Sequence, residues 1–540
     1  MPRLRKRVLV GSLVLPLLIG GFVVQEHSTR DGTRVFDQVL RLVSNRFVDT
    51  IDTGTLYEKA ARGLVAQLND PYSELFSPKE MQRFSTQSNG HYGGIGMSIQ
   101  QQEDNVVVVH VFPHTPAEGA GVQPGDRIIA IDSASTHGWN STRISDVLQG
   151  QIGTQVQVQF MRPGVSEPIE HRFTRAEIHV PAVPYAIMLK PKIAYIPLQE
   201  FNETAGEEVR SGVERLVKQG ATGIILDLRG NPGGIVDQAI ETAGLFLHNG
   251  QTVASLRPRQ GDPKTFVADG SEHVNSLPLV VLVDGSSASA AEIVTGALQD
   301  HDRALVVGTT SFGKGLVQTV YPLEGGWALK LTTAMWYTPN GRSIQKAAKW
   351  HPSVTATEEP VPLTIPDEPT DSMEMDSVEV DSVKKHRPAY KSDAGRVVYG
   401  GGGITPDVIV SQDTMTTAEQ EFARVLAPKF GVWNSVLSDY ALKLKGTVQP
   451  HFTVKPEWRD ELYRRLIKAG ISIDRAQYDS ATPMVDQLIG QRIASDAFGD
   501  STARRRSIPD DAQLERAITL LQKGQSQQDL FTLAKIGEKK

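Results

Sequence analysis

The 540-residue chain contains no cysteine at all, which excludes disulfides and thiolate metal sites. The absence fits an oxidising compartment without establishing one. Its 13 histidines form no His-Glu-x-x-His or comparable cluster, so neither a metal nor another cofactor is expected. Net charge is also scarce: a formal value of -6 gives no reason to expect a nucleic-acid partner. The length is enough for several domains, each able to bury its own core.

Uncharged apolar sequence of membrane length is confined to one place, Val8 to Val24, which directly follows Arg3, Arg5, Lys6 and Arg7. That run is at the short edge for spanning a bilayer and long for a cleaved signal core. A small-x-small cleavage site is weak after Gly21, so residues 1–26 are expected to be a signal anchor, or else a signal peptide, with the basic end in the cytoplasm. The protein is therefore expected in the cell envelope, on the periplasmic side and held in the inner membrane.

What is present is chemistry in the middle of the chain. Leu279-Val-Val-Leu-Val283 is short, apolar and β-branched, so it reads as a buried strand, and Asp284-Gly-Ser-Ser287 reads as the turn before an Ala-rich helix. Ser289 is placed in the first turn of that helix, where unpaired N–H groups and the positive dipole end favour an oxyanion. A serine hydroxyl needs a base, and Lys314 in Ser311-Phe-Gly-Lys-Gly-Leu-Val-Gln318 can serve if desolvation keeps its amine neutral. Gly313 and Gly315 suit a close approach, and Gln318, four residues on, falls on the lysine's side of the chain in helix or strand. Gly223-Ile-Ile-Leu-Asp-Leu-Arg-Gly-Asn-Pro-Gly-Gly-Ile235 reads as a strand entering a Gly-rich turn able to offer amides to an anion, followed by a helix from Val236 to Leu247.

Together with Leu329-Lys-Leu-Thr-Thr-Ala-Met-Trp-Tyr-Thr-Pro-Asn-Gly-Arg-Ser-Ile-Gln345, these segments resemble the carboxyl-terminal processing proteases, periplasmic and thylakoid-lumen enzymes with a Ser/Lys dyad. The resemblance runs over roughly residues 34 to 410. It implies Ser289 as nucleophile, Lys314 as general base and Gln318 as the residue orienting the lysine, with Ser286 and Ser287 as caps. The oxyanion hole would combine the Ala290 amide with an amide of Gly233 or Gly234, the choice being left open. Ala291-Glu292 departs from the Ser-Glu often found in the family at this point, at a position outside the dyad.

Upstream, Gly93-Gly-Ile-Gly-Met-Ser-Ile99, the strand Val106 to Phe112, Pro116-Ala-Glu-Gly-Ala-Gly-Val-Gln-Pro-Gly-Asp126 and the strand Arg127 to Asp132 resemble a PDZ domain over residues 88–178. Gly94, Ile95, Gly96 and Met97 match the loop that captures a peptide carboxylate, while the peptide adds as a strand to the sheet edge. Residues 27–87 read as a helical region, with Val39, Leu42, Val43, Phe47, Leu56, Ala60, Leu64 and Leu68 at helical spacing and taken as helical packing. Asp70-Pro-Tyr-Ser73 reads as a structural turn. Residues 355–395, rich in Glu, Asp, Pro, Ser and Thr, are expected to be a disordered acidic insertion in a peptidase core of residues 179–410. Order returns at Val397 to Val408, and residues 411–540 read as helical, packing on the core or serving as a homo-oligomer or adaptor contact.

The expected architecture is thus an α/β multidomain chain, with a crotonase/ClpP-like serine protease core, an inserted PDZ domain and helical regions at both ends. The expected activity is endopeptidase action on proteins with free C-terminal tails. A non-catalytic PDZ scaffold on an inactive protease fold is the alternative, and an esterase-like acyl-transfer hydrolase would suit the core but not the PDZ module. Lys314 and Gln318 discriminate, because a dead scaffold would be free to lose them.

Overall fold

The computed structural model describes residues 31–102, 105–162, 165–189, 192–270, 276–346, 387–411 and 415–537. They form two compact units, the smaller reaching to Met81 and adding Gln318–Thr332, the larger made of Gln82–Val317 and Thr333–Lys540. The expected membrane anchor and most of the acidic insertion lie outside the described residues. No described helix is long and apolar enough to cross a membrane.

The larger unit is organised by a six-stranded sheet in the order Ile187–Leu189, Ile193–Pro197, Gly223–Asp227, Leu279–Val283, Leu305–Gly308, Val408–Ile409. The first pair is antiparallel and the remaining pairs are parallel. Strands of this kind are buried on both faces, which is why they read as continuous apolar runs rather than alternating ones. Ile224, Leu226, Val281, Val283 and Val306 face one core, packed with Val209 and Val213 of the helix Ala205–Lys218, Ala239 and Ala243 of Val236–Gly244, and Ile293, Val294 and Ala297 of Ala290–Asp300. Their neighbours Ile225, Val280, Leu282, Leu305 and Val307 face a second core.

That second core is closed from far away in sequence. Leu514, Ala517, Leu520 and Leu521 of the helix Ala512–Lys523, with Leu530, Phe531 and Ala534 of Gln527–Gly537, cover the sheet. The C-terminal segment is therefore one of the layers of the α/β core. In sequence between the last strand of the sheet and this layer comes a helical bundle with its own interior, including Phe422, Leu437, Tyr440, Leu462, Leu466, Tyr478, Val485 and Ile489.

The segment expected to be a PDZ domain forms a separate five-strand path, Met97–Gln102, Asn105–Val111, Arg127–Ile131, Gln155–Met161, Ile169–Thr174, with a short strand Ala134–Ser135 beside Arg127–Ile131. Its core holds Ile95, Val106, Val108, Ile131, Ile144, Val158 and Phe160. The chain reaches and leaves it through an antiparallel ribbon, His91–Gly94 against Ala176–His179. The bundle touches this module: Asn434 Nδ2 donates to Gln100 Oε1 at 3.2 Å, and Arg127 and Asp439 approach to 3.6 Å.

The smaller unit carries a helix over residues 31–46 and another, Thr53–Ala66. Strand Glu74–Phe76 pairs antiparallel with Ala328–Lys330. Asp70 accepts from the Tyr72 amide and the Ser73 hydroxyl, so the Asp-Pro-x-Ser segment is a side-chain-closed turn as expected. The packing expectation for the preceding helices is corrected. Leu56 is buried, but Val39, Leu42, Phe47, Leu64 and Leu68 are exposed, because periodicity marks an apolar face without supplying anything to cover it. A second correction concerns the insertion: residues 387–395 are ordered, with Ala389–Lys391 paired to Val397–Tyr399 and the Asp393 amide bonded to the Asp300 carbonyl.

Because Leu530 is fully buried against the sheet, Leu530→Ala should cost about 3 kcal/mol of unfolding free energy, the usual range for a large-to-small core change. Urea denaturation measures it. Removing residues 512–540 should abolish soluble expression of the core, and a soluble truncated protein with a cooperative melt would show the layer to be dispensable.

Candidate active site

The Gly-rich turn is shaped by a buried asparagine. Asn231 Nδ2 donates to the Leu198 carbonyl at 2.8 Å, its Oδ1 accepts the Gly233 amide at 2.8 Å, and its carbonyl accepts the Ala288 amide at 2.9 Å. One residue thus shapes the turn with its side chain and ties it, through its carbonyl, to the segment carrying Ser289. Gly233 has φ +102°, and a Cβ there would lie 2.8 Å from Ser289 Cβ and 3.0 Å from the Ala290 nitrogen. Only glycine permits so close an approach. Gly234, at φ +142°, is instead pressed against the Phe201 carbonyl, 2.3 Å from where its Cβ would be.

Ser286 and Ser287 do not cap the helix as expected. Their amides turn back to Asp284 Oδ1 at 2.9 and 3.1 Å, and the Ser287 hydroxyl donates to the Leu228 carbonyl at 2.8 Å. The short polar loop satisfies itself locally, which leaves the cap position to Ser289. Ser289 is therefore the residue before the helix Ala290–Asp300 rather than one inside its first turn, with φ 54° and ψ -113°. A non-glycine residue held there stores on the order of 1–3 kcal/mol of strain, which persists only where neighbours enforce it. Glu292 closes a capping box with it, and the Ser289 carbonyl accepts the Glu292 and Ile293 amides at 2.9 and 3.0 Å.

The enforcing group is Glu292, whose side chain is fully buried. Its Oε2 accepts the Ser289 amide and the Lys314 amide, each at 2.9 Å. Its Oε1 accepts the Gly313 amide at 2.8 Å and the Ser311 hydroxyl at 2.5 Å. Burial pushes the carboxyl pKa up, against these four hydrogen bonds, which pull it down. The same carboxylate sits in the first turn of its helix, where the dipole favours its charge. So the backbones of Ser289 and Lys314 meet on one acceptor.

The loop bearing Lys314 is fixed from other sides as well. The Phe312 amide donates to the Ser287 carbonyl, the Gly315 amide to Gln345 Oε1 at 2.8 Å, and Trp336 Nε1 to the Lys314 carbonyl at 3.1 Å. Gly313, at φ +91°, would place a Cβ 3.0 Å from the Gly403 nitrogen, so the glycines flanking the lysine do serve close approach. Gln318 falls in the smaller unit, on strand Leu316–Pro322, where its amide donates to Thr332 Oγ1 at 3.1 Å.

In the expected carboxylate loop, Gly94 ends the ribbon, Ile95 and Gly96 form the turn, and Met97 begins the edge strand. The Ile95 and Met97 side chains are buried in the module's core, which leaves backbone rather than side chains to offer contacts. The Phe112 amide donates to the Gly96 carbonyl at 3.0 Å and steadies the turn. Sequence reasoning missed Glu292, Asn231 and Ser311. For Glu292 a signal was present, since Ser289-x-x-Glu292 before an apolar run is the spacing of a capping box.

Three family models match the chain: peptidase family S41 over residues 192–354, a PDZ domain over 93–170, and the N-terminal domain of the activating protease CtpB over 23–79. Among curated proteins, a carboxy-terminal-processing protease of Bartonella bacilliformis is 36% identical over 324 residues, 59% of this chain and 74% of that one. The carboxy-terminal processing protease CtpA of Bacillus subtilis is 32% identical over 342 residues, 63% of this chain and 73% of that one. Among solved structures, the photosystem II D1 C-terminal processing protease is 30% identical, with TM-score 0.34, covering 57% of this chain and 83% of that one.

If Glu292 gathers the site, Glu292→Gln should slow labelling of Ser289 by a fluorophosphonate probe roughly a hundredfold, the scale of a small misplacement of reacting groups. An amide cannot accept all four donors. Unchanged labelling would refute that role. Relief of strain gives a second expectation: Ser289→Gly should be about 1 kcal/mol more stable to urea than Ser289→Ala, because only glycine adopts φ 54° and ψ -113° without cost.

Proposed function

The chain belongs to the carboxy-terminal processing protease family and is a serine-type peptidase carrying a PDZ domain, and on that footing we propose that Ser289 and Lys314 form its catalytic dyad. The observation that carries the reading is the shared acceptor: Glu292 takes the amides of both residues, 2.9 Å each, from positions 25 apart in the sequence. A family of proteases among the relatives speaks against the inactive scaffold.

The reaction would proceed in two halves. Neutral Lys314 removes the proton from Ser289 Oγ as that oxygen attacks the substrate carbonyl, and the tetrahedral oxyanion settles on backbone amides. The Ala290 amide is one donor. An amide of the Gly233–Gly234 turn is the other, and the close approach of Gly233 to Ser289 and to the Ala290 nitrogen supports that pairing. The lysine then returns the proton to the leaving amine, and water, deprotonated by the same lysine, hydrolyses the acyl-enzyme. Gln318 is proposed to orient the lysine, on the strength of its position four residues along the chain.

Substrates would be chosen by their tails. The turn Gly94, Ile95, Gly96 and Met97 would bind a free C-terminal carboxylate through backbone amides, with the peptide extending the Met97–Gln102 edge strand. The setting proposed is the cell envelope, supported by four cations immediately before the uncharged run Val8 to Val24.

Ser289→Ala and Lys314→Ala should each reduce proteolysis of casein by several orders of magnitude, and the double variant should be little worse than either. Gln318→Ala should keep partial activity. Because the base must be neutral, activity should rise with pH as Lys314 loses its proton, from a pH below the free-lysine value of about 10.4. Full cleavage by Lys314→Ala would remove the dyad. A separate measurement addresses the tail: amidating the C-terminus of a peptide should weaken its binding by about 1–3 kcal/mol. Equal affinity of the acid and the amide would leave the PDZ module without that role.

A further inference from the structure

The turn that faces Ser289 is braced from behind by residues of the C-terminal segment, which lies beyond the stretch matched by the peptidase family model. Arg229, two residues before Asn231, makes a bidentate pair with Asp227 at 2.9 and 2.6 Å and a second with Asp511 at 2.8 and 2.9 Å. Gln513 Oε1 accepts a further bond from Arg229 at 3.1 Å. Arg504 completes the set, donating to Asp511 Oδ2 at 2.7 Å and to the Tyr195 hydroxyl at 2.9 Å, while that hydroxyl donates to Asp227 at 2.8 Å. Two carboxylates and two guanidinium groups thus cancel in a largely buried cluster.

Asp511 is itself held firmly. It is the cap of the helix Ala512–Lys523, accepting the Leu514 amide at 2.9 Å, and that helix is a layer of the core. A carboxylate at a helix start in contact with two arginines stays charged: burial alone would raise its pKa, but the bonds and charge of Arg229 hold it at about 2. From Arg229 the path to the reacting groups is short. Asn231 binds both the Gly233 amide and the Ala288 amide, next to Ser289.

We infer that Asp511 is a positioning residue for catalysis, setting the Gly233 turn against Ser289 through Arg229. The inference rests on the protease reading of that turn. Without the Asp511 charge, Arg229 and Arg504 would share Asp227 alone, and their repulsion would fall on the segment leading into Asn231. If substrate tails are held mainly at the Met97–Gln102 edge strand, as proposed above, the loss should fall on kcat rather than on KM.

The test uses the full chain and fluorescein-labelled casein, with kcat and KM measured for wild type, Ser289→Ala, Asp511→Asn, Asp511→Glu and Leu466→Ala. Asp511→Asn should lower kcat about tenfold to a hundredfold with KM within about twofold, and Asp511→Glu should recover most of the loss. Leu466→Ala, in the bundle core, lowers the melting temperature without touching the cluster and should leave kcat unchanged. A kcat for Asp511→Asn within twofold of wild type would overturn the inference. So would an equal fall in Leu466→Ala, because the effect would then be general destabilisation. A wild type no better than Ser289→Ala would sink the protease reading and this inference with it, whereas an active wild type matched by Asp511→Asn would sink the inference alone.

Discussion

One buried carboxylate organises the centre of this protein. Removing a charged group from water is expensive, and Glu292 is tolerated because four donors, three backbone amides and a hydroxyl, converge on its two oxygens. The arrangement cuts both ways. Any distortion that withdraws a donor leaves a charge partly unsatisfied in a dry interior, so the Ser289 turn and the Lys314 loop are stable chiefly together. The strained backbone of Ser289 is a local cost offset by this convergence.

A similar dependence recurs on a larger scale at one face of the central sheet. Strands apolar on both faces need two covering layers, and this chain takes the second from residues 512–534, nearly 200 positions beyond the lysine. Because that layer begins at Asp511, the packing of apolar side chains and the bracing of the Gly-rich turn are consequences of one docking event. A segment that resembles an appendage in sequence is mechanically part of the site's foundation.

Legibility in the sequence followed the range of the interactions. Leu279–Val283 and Gly223–Asp227 were readable as buried strands because a continuous β-branched run has few other uses, and the segments around Ser289 and Lys314 were readable from residue type and spacing. Glu292 is legible only as the end of a capping-box spacing, because its long-range bonds to Ser311 and Gly313 leave no local pattern. The pairing of Arg229 with Asp511 spans 282 residues and has no periodic signature at all. The exposed faces of Val39 and Leu42 failed in the opposite sense: the helix was legible, but a periodic pattern is silent about its partner.

The ribbon of His91–Gly94 against Ala176–His179 has a consequence for how such a chain can change over time. Its paired strands hold the two ends of an inserted module side by side, so the peptidase core meets the whole intervening segment as a closed stem. Loop-closure entropy is then settled by the stem's own hydrogen bonds and depends little on what lies beyond them. Residues between the two strands can lengthen, shorten or be exchanged for another small domain with adjacent ends, as a cassette, while the sheet beneath keeps its register.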